Sequence, residues 1–96
     1  MTSTRVRVRV RGHVQGVGYR WFTRDAAEAH HVSGWVRNRR DGTVEAELHG
    51  DADDVEATLV EMRRGPVSAR VDAVEVMSID APSPGDASGF EFRQTS

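Results

Sequence analysis

Residues 10 to 20 read Val10-Arg11-Gly12-His13-Val14-Gln15-Gly16-Val17-Gly18-Tyr19-Arg20. An alternating strand pattern runs into this stretch and a helical pattern leaves it. Three glycines and an arginine occupy the join. Glycine turns through positive φ at little steric cost, and successive amides in such a turn can face one concavity and hold an anion. The helix start adds unpaired N–H groups and the positive end of its dipole. Arg20 stands at that start with a planar fork that fits phosphate. Spacing alone leaves two readings open, a tight structural turn and an anion cradle with its own cation. The stretch is no nucleotide-hydrolase loop, because G-x-x-x-x-G-K-[ST] is missing and the chain has no lysine. It is no dinucleotide fingerprint either, because G-x-G-x-x-G is missing. Cysteine-dependent phosphatases place their nucleophile six residues before the arginine, where this chain has Val14. A cradle here holds no attacking side chain, and its nucleophile comes from outside, most simply water.

Upstream, residues 5 to 11 alternate strictly, which predicts a half-buried strand with Val6, Val8 and Val10 inward and Arg5, Arg7, Arg9 and Arg11 outward. Downstream, residues 20 to 31 read as a helix with Phe22, Ala26 and Ala29 as its apolar stripe and Asp25 and Glu28 on the wetter side. Gly34 is read as the end of that helical region. A strand follows at Trp35 to Asn38, then a turn at Arg39-Arg40-Asp41-Gly42, since Asp-Gly between strand patterns signals a hairpin. Residues 43 to 49 read as a third strand, with Val44, Ala46 and Leu48 on one face and Glu45 and Glu47 on the other. Asp51 is a good N-cap for a second helix, whose stripe is Val55, Leu59 and Met62. Arg63 and Arg64 suit its negative end, and Gly65-Pro66 stops it. Residues 70 to 79 give a fourth strand, Asp80 to Gly89 a mobile loop, and Phe90-Glu91-Phe92 a short closing strand.

The order β-α-β-β-α-β with a tail strand predicts the α+β, ferredoxin-like split-βαβ sandwich, an antiparallel sheet with two helices on one face. In that topology the first strand lies between the third and the fourth. Arg5, Arg7 and Arg9 then face Glu45 and Glu47 on one side and Glu75 on the other. The arginine stripe is either a solvated, paired face or a binding surface.

Ninety-six residues with 38% hydrophobic and 29% charged content fit one folded domain, residues 1–96. No apolar run is long enough for a membrane span, and no export signal opens the chain, so a cytoplasmic protein with no membrane contact is expected. The absence of cysteine excludes disulfides, thiolate catalysis and cysteine-bound zinc. A net charge of −2 argues against bulk nucleic-acid binding.

Gly12-His13-Val14-Gln15-Gly16-Val17-Gly18-Tyr19-Arg20 resembles the first signature of the acylphosphatase family. Gly34-Trp35-Val36-Arg37-Asn38, followed by Gly42, Val44 and Gly50, resembles the second. Animal members usually have Phe where Tyr19 stands. The resemblance implies an enzyme that hydrolyses the carboxyl–phosphate anhydride of acyl phosphates to carboxylate and inorganic phosphate, without metal or cofactor. It implies that Arg20 is the phosphate-binding catalytic arginine and Asn38 the residue that orients the water. It implies an amide cradle over Gln15, Gly16, Val17, Gly18, Tyr19 and Arg20. A monomer whose only partners are the small-molecule acyl phosphate and inorganic phosphate is expected, with no nucleic acid and no membrane.

Outside the resemblance the bland readings lead. Asn38 alone would be a turn-favouring residue. His13, His30, His31 and His49 lack metal-ligand spacing and are read as surface or helix-end residues, with His13 near enough to tune the cradle. Trp21 and Trp35 are read as packing around the site. Arg37, Arg39 and Arg40 are either a solvated turn or anion-steering charges. An RNA-binding sheet would need aromatics on its two central strands, and those positions hold arginine and glutamate. A module that keeps the cradle without turnover is the second rival.

Overall fold

Alternation at the start of the chain gives β1, Ser3–His13, in a computed structural model that describes residues 2–83 and 88–96. α1 (Tyr19–Ala29), β2 (Ser33–Asn38), β3 (Val44–Asp51), α2 (Ala52–Arg64), β4 (Arg70–Asp80) and β5 (Phe90–Phe92) follow. The sheet order is β4-β1-β3-β2-β5, so β1 lies between β3 and β4 as expected. All neighbours are antiparallel except β5, which runs parallel to β2 and makes the sheet mixed. Beyond β5 the chain stays beside β2: Arg93 N donates to Val36 O and Ser96 N to Asn38 O, each at 3.0 Å. Of the loop expected over Asp80 to Gly89, Asp80 still belongs to β4, and residues 84–87 lie outside the described residues.

Burying one face of the sheet under both helices makes the core. Val6, Val8 and Val10 meet Val36, Val44, Ala46 and Leu48 across the sheet, and all seven are buried. Each buried Val or Leu side chain contributes about 1.5–3 kcal/mol, and Ala46 less. α2 adds Val55, Leu59 and Met62, its expected stripe.

α1 departs from the expected phase. It buries Tyr19, Thr23, Ala26 and Ala27, while Ala29 is exposed and Phe22 only half-buried. The helix starts at Tyr19, and that large ring sets which side turns inward. Thr23 tolerates burial because its hydroxyl donates to Tyr19 O at 3.0 Å. α1 also stops earlier than expected. The reversal falls at His31, with φ 59°, and Gly34 already belongs to β2.

The open face carries the expected opposite-charge pairs, but its carboxylates on β3 are not solvated. Glu45 and Glu47 are buried there, at 4% and 8% exposure. Arg37 reaches Glu45 at 2.7 Å and Arg39 at 3.1 Å, while Arg7 reaches Glu47 at 2.6 Å. Burial pushes both carboxyl pKa values up, but the hydrogen bonds and charges of Arg37 and Arg39 at Glu45, and of Arg7 and His49 at Glu47, outweigh it and leave both below the ordinary range. Arg11, rather than Arg9, takes Glu75, at 2.6 Å.

Candidate active site

β1 hands the chain to α1 through residues 14–18, and side chains from elsewhere fix this loop. Val14 is buried in the core. Gln15 Nε2 donates to Arg39 O at 2.7 Å and to Thr43 O at 2.8 Å, at the root of the β2–β3 hairpin. From the β4 side Ser68 Oγ donates to Val17 O at 2.7 Å. Gly16 and Gly18 take φ 73° and 79°, which side chains with a Cβ adopt at a cost. Gly12 serves a different purpose: a Cβ there would fall 2.1 Å from Arg70 O, so it lets β1 and β4 approach and belongs to the sheet.

Gly18 is the N-cap of α1, and no side chain caps the helix. The helical bond from Phe22 N to Gly18 O is 3.0 Å. The amides ahead of it have no intrahelical acceptor. No acidic residue sits in the first turn, so the positive end of the dipole is left uncompensated.

Arg20, in that turn, is half-buried, with its guanidinium carbon 5.8 Å from the Phe92 ring centroid. Among the described residues no carboxylate pairs with it. Asn38 ends β2, paired with Val44 in register. Phe92 pairs with Val36. Side chains alternate along a strand, so Asn38 lies on the same helix-side face two residues further on. Arg20 and Asn38 thus approach the β2–β5 side of the sheet from different elements, with Phe92 beside Arg20 and paired with Val36, two residues before Asn38. Asn38 Oδ1 is buried without a hydrogen-bond partner among the described residues. A buried acceptor in that state costs about 1–3 kcal/mol and is rarely left so.

Tyr19 contributes only its backbone to the loop. Its hydroxyl donates to Met62 O at 2.8 Å deep in the core, and burial pushes its pKa well above that of an ordinary phenol. Trp21 leans on Phe92, with ring centroids 4.9 Å apart, yet stays 55% exposed. Trp35 does not pack around this edge. It is buried on the opposite face of the sheet, under the guanidiniums of Arg7, Arg37 and Arg93.

The histidines differ from one another. His13 is exposed at the end of β1, opposite Arg70. His30 joins the two helices through Glu61. His49 is buried, contrary to the surface reading, because its Nε2 meets Glu47 Oε1 at 2.8 Å. Among the described residues no three His, Cys, Asp or Glu side chains group as metal ligands. Asp25 and Glu28 are exposed, as a solvated helix face requires. Arg37 and Arg39 are committed to Glu45, and Arg40 is exposed with its amide on Ser96 O. In the turn between them, Asp41 accepts from Thr43 Oγ1 at 2.6 Å and Thr43 N at 3.0 Å, which holds its pKa below the ordinary range.

Two features of this edge had no sequence signal that singled them out. One is the Gln15 side chain as a strut to the hairpin. The other is the run of residues 93–96 along β2, of which only the Phe-Glu-Phe alternation was readable.

The family model Acylphosphatase matches residues 6–92. The chain belongs to the acylphosphatase family. An acylphosphatase of Cupriavidus necator is 50% identical over 84 residues, covering 88% of this chain and 87% of that protein. The crystal structure of acylphosphatase from Bacillus subtilis matches with TM-score 0.87 at 29% identity, covering 94% of this chain and 98% of that one. The acylphosphatase of Coxiella burnetii matches with TM-score 0.83 at 33% identity, over 96% and 94%. The acylphosphatase match takes in the β1–α1 loop, Arg20, Asn38 and Phe92, and ends before the run of residues 93–96.

Proposed function

We propose that the protein hydrolyses acyl phosphates to a carboxylate and inorganic phosphate by direct attack of water. The start of α1 carries this reading. It is a helix N-terminus without a cap, entered through a glycine turn, with one arginine that no described carboxylate neutralises. Backbone amides over Gln15 to Arg20 cradle the phosphoryl oxygens, and Arg20 offsets their charge, the main barrier to an incoming nucleophile. In phosphoryl transfer such an arginine is worth about 10³–10⁵ in rate.

Asn38 has no basic pKa to offer. Its unpartnered Oδ1 supports a positioning role, accepting from a water held in line with phosphorus. The water oxygen bonds to phosphorus as the phosphorus–acyl oxygen bond breaks. The acyl carboxylate leaves with that electron pair, and the water's proton passes to the phosphate. A carboxylate is a stable leaving group and needs no general acid. Gln15 is then a positioning residue, because its side chain fixes the loop against the hairpin that carries Asn38.

Residues 1–96 act as one unit in this reading, a monomer of the cytoplasm that uses neither metal nor cofactor. No described helix is long and apolar enough to cross a membrane.

Benzoyl phosphate hydrolysis in EDTA, for the wild type, Arg20→Ala and Asn38→Ala, tests the proposal. Fast turnover is expected in the wild type, with loss of rate in both variants. Asn38→Ala should still bind inorganic phosphate, and Arg20→Ala should not. A wild type that binds phosphate without turnover would make the cradle a sensing module instead.

A further inference from the structure

We propose that Arg24 forms a second anion subsite beside the phosphate site, which selects acyl phosphates whose acyl half carries its own carboxylate. The proposal rests on the acyl phosphate reading and names the substrate class that suits this edge.

Arg20 and Arg24 are four residues apart on α1 and so lie on one side of the helix. Both guanidiniums stand near the same ring, at 5.8 Å and 5.3 Å from the Phe92 centroid. Arg24 is also 4.5 Å from the Trp21 ring. Two aromatic rings therefore flank its guanidinium carbon, and contact with ring faces does not use up the N–H groups a carboxylate would meet. Arg24 Nε is buried and has no hydrogen-bond partner among the described residues. Among the described residues its charge is answered by exposed Asp25 at 3.4 Å and exposed Glu28 at 4.0 Å. Exposed pairs of that kind are weak, and a substrate carboxylate can replace them.

The spacing suits a short dicarboxylic acyl group. Four residues of helix rise about 6 Å. An extended run of five bonds of about 1.5 Å, the distance from phosphorus to the far carboxyl carbon of a four-carbon diacid, also covers about 6 Å. Trp21, 55% exposed beside Phe92, gives the intervening methylenes an apolar wall.

The test compares succinyl phosphate with acetyl phosphate, following phosphate release at low and high salt. Arg24→Gln is expected to lower the succinyl-to-acetyl ratio of kcat/KM about tenfold, the size of one charge-assisted contact. The loss should lie in KM, shrink at high salt, and be recovered in part by Arg24→Lys. A double variant, Asp25→Asn with Glu28→Gln, should raise the ratio by freeing Arg24. Thermal melting of each variant separates this from a packing role. If Arg24→Gln lowers the melting temperature while the ratio holds, Arg24 merely packs and the subsite is overturned. If the wild type turns over neither substrate, the acyl phosphate reading falls and the subsite falls with it.

Discussion

α2 begins at Asp51, whose side chain accepts from Asp53 N at 3.0 Å, with Asp53 and Asp54 in the first turn. α1 begins at Gly18 in a left-handed conformation, with no side-chain cap and no acid in the first turn. The same element is closed in one place and left open in the other. A cap contributes about 1 kcal/mol, so α1 gives up local stability that α2 keeps. Its start is held instead by long-range contacts: the Tyr19 hydroxyl on Met62 O, the Gln15 strut and the Ser68 tie. A helix end stabilised from a distance keeps its own amides free for a ligand.

Removing the charge from the open end is the strongest way to test that contrast. Arg20→Ala should lower kcat for benzoyl phosphate by about 10³-fold or more. It should leave the melting temperature nearly unchanged, since no described carboxylate loses a partner. Closing α1 in the manner of α2 comes next. Gly18→Asp tolerates the left-handed backbone better than most residues, and it sets a carboxylate where phosphate should bind. An increase in KM of at least about tenfold is expected from charge repulsion in the cradle. Phosphate should also lose its ability to raise the melting temperature. A variant with unchanged KM would show that the open end is structural.

Opening α2 is the reciprocal experiment. Asp51→Ala should cost about 1 kcal/mol, read as a drop of about 4–8 °C in a domain of this size, with kcat and KM retained. The smallest effect concerns the arginine-covered face of the sheet, where carboxylates are closed off much as Asp51 closes α2. Glu45 and Glu47 have folded pKa values below the ordinary range. Their contribution is therefore present above about pH 4.3, the unfolded value, and is lost as pH falls through the lower folded values. Melting temperature followed on acidification should fall less steeply in Glu45→Gln with Glu47→Gln than in the wild type.

What was legible in the sequence follows the range of the forces involved. The alternation of Val6, Val8 and Val10 and the cap and stripe of α2 are local patterns, and the fold reproduces them. The phase of α1 is not legible because its inward residues include Thr23, a polar side chain made acceptable by one hydrogen bond to Tyr19 O. Burial of Glu45 and Glu47 was not legible because their cover, Arg7 and Arg37 with Arg39, comes from both neighbouring strands and the hairpin. At the candidate site, glycine spacing pointed to the loop and the signatures pointed to Arg20 and Asn38. The buried, unpartnered Oδ1 of Asn38 and the two bonds of Gln15 are properties of the assembled edge and have no counterpart in local spacing.

β2 carries Asn38 between β3 and the run from Phe90 to Ser96. Synthesis is vectorial, and this second neighbour is made more than fifty residues after Asn38 itself. Until it leaves the ribosome, β2 is a bare edge whose Val36 and Asn38 carbonyls lack the donors of Arg93 and Ser96. Arg20 likewise has no Phe92 ring beside it until then. The nascent chain can close β1, α1 and the hairpin early, but the strand that carries Asn38 locks only as the last described residues emerge.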